Sequence, residues 1–111
     1  MTRIYISGPM TGVPGLNRGA FADAARGLRS EGLEAVNPHE IGDALGIDTS
    51  WLGYMREDIK ALMDCDAVLA LEDWQQSRGA RIEVRLAIAL GLPVYYSVER
   101  AVGALVGEAV R

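Results

Sequence analysis

Short apolar runs alternate with longer stretches of helical periodicity along this chain. The apolar runs predict strands at residues 4–6, 34–36, 66–71 and 92–96, and the third is apolar on both faces, as a central parallel strand is. The periodic stretches predict helices at residues 17–32, 51–63, 78–90 and 99–110, with a loop containing a helical turn at residues 39–50. This alternation predicts a single α/β domain over residues 1–111, a three-layer Rossmann-like (flavodoxin-like) fold with a four- or five-stranded parallel sheet.

Capping residues and apolar spacing set the expected helix boundaries and inward faces. Asn17 and Ser50 suit N-cap positions, and Gly32 suits the position that ends the first helix. The expected inward faces are Phe21, Ala24, Ala25 and Leu28 in the first helix, Leu52, Met55, Ile59 and Leu62 in the second, and Ile82, Leu86, Ala89 and Leu90 in the third.

Polar and glycine-rich segments follow the predicted strands at one edge of the sheet. Ligands of open parallel sheets bind at the carboxyl ends of the strands, beside the point where strand order reverses. Residues 7–15, residues 72–79 and the start of the helix at residue 51 therefore surround one crevice. The first loop contains Ser7, Gly8, Pro9 and Met10 as candidate binding residues. Small residues in this loop let a ligand approach the backbone, and its N–H groups, which Pro9 lacks, can surround an anion, although an ordinary turn has the same composition. The loop has neither a GxGxxG nor a P-loop pattern, so it does not indicate a dinucleotide or a triphosphate.

Two carboxylates are candidates for chemistry. Glu83 falls in the second turn of a helix that starts at this edge, where a carboxylate can act as a nucleophile or base. Alternatively, its charge can interact favourably with the helix dipole or pair with Arg81 or Arg85. Asp58 joins it if the register of its helix points it into the crevice. A carboxylate pair is what cleavage of a glycosidic bond uses, but a separation of 25 residues does not by itself establish one.

The remaining polar and aromatic candidates have simpler interpretations. His39, the only histidine, lies near Glu40 and Asp43, but without cysteine partners a loop role is favoured over a metal site. Cys65 is expected in the core. Trp51, Tyr54 and Trp74 are expected to pack, with Trp74 the best placed of the three to stack on a ligand, because its loop lies at the crevice.

The composition limits the kinds of partner that this protein is expected to bind. The 111 residues are half hydrophobic and carry a formal charge of −4 with a pI near 4.9, which argues against a nucleic acid polymer as the ligand. One cysteine allows no intrachain disulfide, and no apolar run approaches membrane-spanning length, so a cytoplasmic protein without a membrane partner is expected. The sequence has no signal-peptide pattern. Because a chain of this length has a modest core, burial in a homo-oligomer is also expected.

The motifs together resemble a known family. They are the run at residues 4–12 (IYISGPMTG), Asn17-Arg18 with Phe21, Asn37-Pro38, the run at residues 55–59 (MREDI), the run at residues 64–67 (DCDA), and the run at residues 77–83 (SRGARIE). The sequence resembles the DUF4406 group of small bacterial and phage proteins over nearly its whole length. That group is similar to the superfamily of nucleoside 2-deoxyribosyltransferases and 2′-deoxynucleoside 5′-phosphate N-hydrolases.

The resemblance implies roles for individual residues. A glutamate on the helix after the third strand is the superfamily's nucleophile, and Glu83 has that place. An aspartate eight residues before the one that opens the third strand assists the leaving base or the sugar, and Asp58 matches it. An aromatic residue on the first strand lies near the sugar and the nucleophile, which makes Tyr5 a candidate. No cofactor and no metal are implied.

One position distinguishes two branches of the superfamily. Six residues before the nucleophile, nucleoside transferases have an aspartate, whereas nucleotide N-hydrolases have a serine that contacts the 5′-phosphate, and this chain has Ser77. Ser77, Gly79, Asn17 and the Arg18 guanidinium are therefore expected to bind substrate. Arg78 and Arg81 depart from the small or apolar residues of the characterised branches. The chain is also shorter than usual, so a fifth strand can be missing.

Together, the candidate residues and the resemblance favour an enzyme that cleaves the N-glycosidic bond of a (deoxy)nucleoside 5′-monophosphate through a glutamate nucleophile. The alternatives are a nucleoside deoxyribosyltransferase and a non-catalytic nucleotide-binding protein, for instance in phage–host conflict. The resemblance also implies a homodimer or larger assembly.

Overall fold

The computed structural model describes residues 1–46 and 50–106. Within them the chain forms four strands and five α-helices, with 3₁₀ turns at Pro14–Asn17 and Trp74–Gln76. In chain order the elements are β1 (Arg3–Ser7), α1 (Arg18–Ser30), β2 (Glu34–Val36), α2 (Pro38–Leu45), α3 (Trp51–Met63), β3 (Ala67–Ala70), α4 (Arg78–Ala89), β4 (Val94–Tyr95) and α5 (Val98–Leu105).

The four strands form one parallel sheet in the order β2-β1-β3-β4. Strand β1 pairs with β2 on one side and with β3 on the other, so the strand order reverses between β1 and β3. The predicted α/β fold with a four-stranded parallel sheet is confirmed. Since crevices form where strand order reverses, the carboxyl ends of β1 and β3 are the expected location of a ligand.

Alternation along β1 divides the core between the two faces of the sheet. Ile4 and Ile6 are fully buried in the cluster that contains residues of α1 and α5. Tyr5 points to the opposite face, where it belongs to the cluster that contains Leu62 of α3 and Ala87 of α4. Because side chains alternate along a strand, Ser7 shares the face of Tyr5 and is directed toward the α3–α4 layer.

The expected loop after β2 is wrong for most of its length, because residues 38–45 form helix α2. The Asn37 side chain accepts a hydrogen bond from the His39 backbone N–H, Pro38 occupies the first helical turn, and Gly46 ends the helix in a left-handed conformation. Residues 47–49 of the predicted loop lie outside the described residues, as do residues 107–110 of the predicted last helix.

Two other local predictions differ from the structure. The last strand covers only Val94–Tyr95 of the predicted residues 92–96. Asn17 precedes α1 at a positive φ of 60° and makes no capping hydrogen bond through its side chain. By contrast Ser50 caps α3 by accepting from the Gly53 N–H, as predicted.

Helix faces were predicted correctly for α1 and less well for α3 and α4. The four expected residues of α1 are buried, but Leu52 of α3 is 58% exposed. In α4 the buried face consists of Ala80, Glu83, Val84 and Ala87, whereas Ile82, Ala89 and Leu90 are exposed. The small alanines let α4 approach the sheet closely, and Glu83 accepts hydrogen bonds from buried hydroxyls there. This face of α4 is therefore buried instead of the more apolar face that the spacing predicted.

Among the described residues, no helix is long and apolar enough to cross a membrane.

Candidate active site

A cavity of about 770 Å³ opens at the carboxyl ends of β1 and β3. Its walls come from the loop after β1, from α2, and from the N-terminal halves of α3 and α4. This volume lies within the range of pockets that enclose small-molecule ligands, about 300–1,000 Å³. Asp58 and Glu83, which are far apart in sequence, both line it.

Glu83 is held at both carboxylate oxygens. The Tyr5 hydroxyl donates to Oε2 at 2.7 Å, and the Ser7 hydroxyl donates to Oε1 at 2.7 Å. Within the described residues neither Arg81 nor Arg85 forms an ion pair with Glu83, and the Arg81 guanidinium donates to the Gln75 carbonyl oxygen instead. Glu83 is only 5% exposed, and this burial raises its pKa to about 7 even though the two hydroxyl donors lower it. The site therefore contains an oriented carboxylate that titrates near neutrality.

Asp58 is the second titratable group of the cavity. Burial, followed by the negative charge of Glu83, raises the pKa of Asp58 to about 7. No hydroxyl donates to Asp58 among the described residues, whereas two donate to Glu83. When the pair holds one proton, this asymmetry favours the proton on Asp58 and the charge on Glu83. The arrangement can supply a nucleophile and a proton donor within one cavity.

Tyr5 joins this network from the buried face of β1. Its side chain is fully buried, and its pKa is raised well above the ordinary value by burial and by the nearby charges of Glu83 and Asp58. Tyr5 therefore keeps its proton at neutral pH and acts as a hydrogen-bond donor to Glu83.

The N-terminus of α4 forms one wall of the cavity. Ser77 lines the cavity and also caps α4, because its hydroxyl oxygen accepts from the Ala80 N–H. A Cβ atom at Gly79 would lie 3.1 Å from the Met55 sulfur, so glycine allows α3 and α4 to meet closely here. The Ser77 proton is not used in the cap and stays available to an acceptor in the cavity.

The loop after β1 contributes only part of the predicted set to the cavity. Gly8 and Met10 line it, whereas Pro9 and Asn17 are not among its lining residues and Ser7 is fully buried beneath it. Arg18 lies at the rim, where its guanidinium donates to both carboxylate oxygens of Asp43 at 3.0 and 3.1 Å. Both side chains of this ion pair are more than half exposed.

The aromatic residues are arranged differently from the expectation. Trp74 lies beside Tyr96, with ring centroids 6.2 Å apart, and is not among the lining residues. Trp51 lines the cavity instead, with the Arg78 guanidinium 4.3 Å from the centroid of its ring. The start of this helix was expected at the crevice, but the sequence favoured a packing role for Trp51, and the contact between α3 and α4 places its ring in the cavity lining.

His39 is a cavity residue for which the sequence favoured a loop role over a metal site. It lies in the first turn of α2, is 8% exposed, and packs edge-on against Phe21 with centroids 4.8 Å apart. Its Nε2 is buried and has no hydrogen-bond partner within residues 1–46 and 50–106. Burial and the charge of Arg18 lower the pKa of His39, so the neutral imidazole is favoured. The Asn37-Pro38 start signal of a helix was the feature that could have placed it.

No group of three His, Cys, Asp or Glu side chains converges to hold a metal ion in the part of the chain that the structure describes. Cys65 is buried, as expected, and is not among the residues that line the cavity. Burial raises the pKa of the Cys65 thiol to about 11, which favours the unreactive protonated form.

Comparisons with known proteins agree with this architecture. Residues 2–96 match the family described as Domain of unknown function (DUF4406). A solved structure of a 2-deoxyribosyltransferase from the psychrotolerant bacterium Bacillus psychrosaccharolyticus superposes with a TM-score of 0.65 at 17% identity, over 84% of this chain and 69% of that one. No curated protein sequence matches the chain. At this identity, the likeness to the transferase shows a shared fold.

Proposed function

The chain belongs to the DUF4406 family, and from this membership and the geometry of the cavity we propose that it cleaves the N-glycosidic bond of a (deoxy)nucleoside 5′-monophosphate. The observation that carries the proposal is the carboxylate pair: Glu83, hydrogen-bonded at both oxygens, lines the same cavity as Asp58. The fold shared with a 2-deoxyribosyltransferase supports a nucleoside-type substrate.

The two carboxyl groups have complementary tasks in this reaction. The Glu83 carboxylate attacks C1′ of the sugar, the C1′–N bond breaks with its electron pair going to the base, and the Asp58 carboxylic acid supplies a proton to the base. Water then attacks C1′, the bond from C1′ to the Glu83 oxygen breaks, and Asp58 takes the proton of the water. The products are the free base and the sugar phosphate. Two carboxyl groups divide the work of glycoside cleavage in the same way.

The phosphate is proposed to lie between the N-terminus of α4 and the loop after β1. Ser77 lines this part of the cavity and has a hydroxyl proton to donate, and Gly8 also lines the cavity. The proposed contribution of Arg18 requires the ligand to compete with Asp43 for the guanidinium. A phosphate with two negative charges is a stronger acceptor than a carboxylate, so the exchange is physically reasonable.

The test is to incubate the protein with paired nucleosides and nucleoside 5′-monophosphates and to measure free base by chromatography. We expect the monophosphates to be cleaved faster. Glu83→Gln and Asp58→Asn are each expected to lower the rate on the order of 10³-fold, because each removes a group that acts at the reacting bond. Glu72→Gln and Asp64→Asn, which change exposed carboxylates outside the cavity lining, serve as matched controls.

Three outcomes would contradict parts of the proposal. Equally slow release of free base by wild type and Glu83→Gln would contradict the assignment of Glu83 as the nucleophile. Appearance of a new nucleoside when a second free base is added would indicate deoxyribosyl transfer, the activity named for the structural neighbour. Thermal stabilisation by a nucleotide without any product, preserved in Glu83→Gln, would indicate a binding protein.

We also propose that residues 1–111 act as one domain in a homo-oligomer. Large apolar side chains lie at the surface of α3 and at the end of α4, where Leu52, Ile88 and Leu90 are each more than half exposed. Sedimentation analysis of wild type and Ile88→Glu tests this part, with a monomer in the wild type as the result that would contradict it.

A further inference from the structure

Ser7 has a more specific role than the loop contact that the sequence indicated. Its side chain is 0% exposed, and its hydroxyl donates to Glu83 Oε1 at 2.7 Å. We infer that Ser7 is a positioning residue for the nucleophile: together with the Tyr5 hydroxyl, it holds the Glu83 carboxylate at both oxygens and fixes the plane from which it attacks. The inference rests on the proposed function, which it deepens.

The backbone around Ser7 is well suited to holding a side chain in place. Ser7 is the last residue of β1 and pairs with Ala70 of β3. Its carbonyl oxygen accepts from the Leu71 N–H at 2.8 Å. The next residue, Gly8, packs so closely that an added Cβ would lie 2.9 Å from the Leu71 Cβ. The hydroxyl is therefore positioned by the sheet, not by a mobile loop.

The number of protons that a serine hydroxyl can donate decides whether Ser7 holds the nucleophile or a ligand. A hydroxyl has one proton, and Ser7 gives it to Glu83. Because Ser7 is fully buried, a ligand in the cavity has no access to its oxygen. Tyr5 and Ser7 lie two residues apart on one face of β1, which brings one donor to each carboxylate oxygen. Two donors match the ionised carboxylate, which is the form that attacks C1′.

The hydrogen bonds from Ser7 and Tyr5 have opposite effects on the two chemical steps. In the first step one Glu83 oxygen bonds to C1′, and the charge that the hydroxyls stabilise disappears. In the second step the bond from C1′ to that oxygen breaks, the electron pair returns to Glu83, and the carboxylate charge reappears. Hydrogen bonds to a charged group are stronger than those to an ester. Loss of the Ser7 hydroxyl is therefore expected to slow release of the sugar phosphate more than release of the base.

The test compares Ser7→Ala, which lacks the donor, with Ser7→Thr and Ser7→Cys, which retain a strong and a weak donor. Ser30→Ala is the control, since the Ser30 hydroxyl donates to the Gly27 carbonyl oxygen on the exposed surface of α1. The first readout is the titration of the Glu83 carboxyl carbon by NMR, assigned with Glu83→Gln. We expect Ser7→Ala to shift the Glu83 pKa upward by about one unit, Ser7→Cys by less, and Ser7→Thr and Ser30→Ala not at all.

The second readout is the reaction. With a nucleoside 5′-monophosphate, intact-mass measurement is expected to show more sugar-phosphate adduct on Ser7→Ala than on wild type, together with a shift of the acidic limb of the pH–rate profile to higher pH. An unchanged Glu83 titration in Ser7→Ala would overturn the inference, whatever the activity. A shifted titration in a protein that releases no base would uphold the hydrogen bond from Ser7 and contradict the proposed reaction.

Discussion

The carboxyl group of Glu83 is expected to destabilise the folded protein above neutral pH, and Glu83→Gln tests this directly. In the folded chain the pKa of Glu83 rises from 4.5 to about 7, chiefly because the group is buried. Below about pH 4.5 both states are protonated and burial has little electrostatic cost. Between these two pKa values the folded state keeps a proton that the unfolded state has lost, so the free energy of unfolding falls as pH rises and stays lower above pH 7.

The expected size follows from the shift. A rise from 4.5 to about 7 corresponds to about 3 kcal/mol at about 1.4 kcal/mol per unit. Glutamine keeps the volume of the side chain and still bonds both hydroxyls, accepting from one and donating to the other. Removing the Glu83 charge also relieves Asp58, whose raised pKa depends partly on that charge, so both effects have the same sign.

The assay is urea denaturation of wild type and Glu83→Gln at pH 4.5 and pH 8.5. We expect the advantage of the variant to be about 3 kcal/mol larger at the higher pH, or roughly 10 °C in melting temperature for a domain of this size. Glu72→Gln, which changes an exposed carboxylate, is expected to show no such dependence. An advantage of Glu83→Gln that is equal at the two pH values would refute the reasoning, because the folded state would then hold the charge without cost.

Three further predictions concern the walls of the cavity. Gly8→Ala is expected to lower the free energy of unfolding by about 1–3 kcal/mol, measured by urea denaturation, because the new Cβ would lie 2.9 Å from the Leu71 Cβ. Asn37→Ala is expected to cost about 1 kcal/mol in the same measurement, because the side chain caps α2. Asp43→Asn is expected to change stability by less than about 1 kcal/mol, since the ion pair is exposed, but to lower the KM for a nucleoside 5′-monophosphate by freeing Arg18.

Each of these predictions has a result that would contradict it. Gly19→Ala, a helical site where an added Cβ meets nothing within 4 Å, should not destabilise, and equal losses at Gly8 and Gly19 would remove the argument from close packing. A urea denaturation curve of Asn37→Ala that equals that of the wild type would show that the cap is dispensable. An unchanged KM in Asp43→Asn would indicate that Arg18 does not bind the phosphate.

The periodicity of the sequence was enough to predict the sheet and most of the helices. The apolar runs at residues 66–71 and 4–6 located β3 and β1, because a central strand that is buried on both faces is apolar throughout. Helix α2 was missed because its eight residues are too few to show a full amphipathic pattern. Asn37-Pro38 is a start signal for a helix, but the same pair also suits the end of the preceding strand.

The candidate site was predictable only in part. Resemblance and position suggested Glu83, Asp58 and Tyr5, and the structure brings these three residues together, although their roles stay predictions. The start of the helix at residue 51 was expected beside the crevice, but the sequence favoured a packing role for Trp51 and a loop role for His39. Their places in the cavity lining depend on how α3 and α2 pack against other elements.

What the sequence determined by itself is therefore the local order: where strands and helices occur, that the sheet is parallel, and which residue types lie near its carboxyl edge. These follow from short-range periodicity and chain connectivity. The tertiary structure decided which face of α4 is buried and that Ser7 donates a hydrogen bond to Glu83 instead of lying open to a ligand. It also decided that the Arg18 guanidinium forms an ion pair with Asp43. Those choices depend on contacts between residues distant in the sequence, and on the need of each buried polar group for a partner, which periodicity does not record.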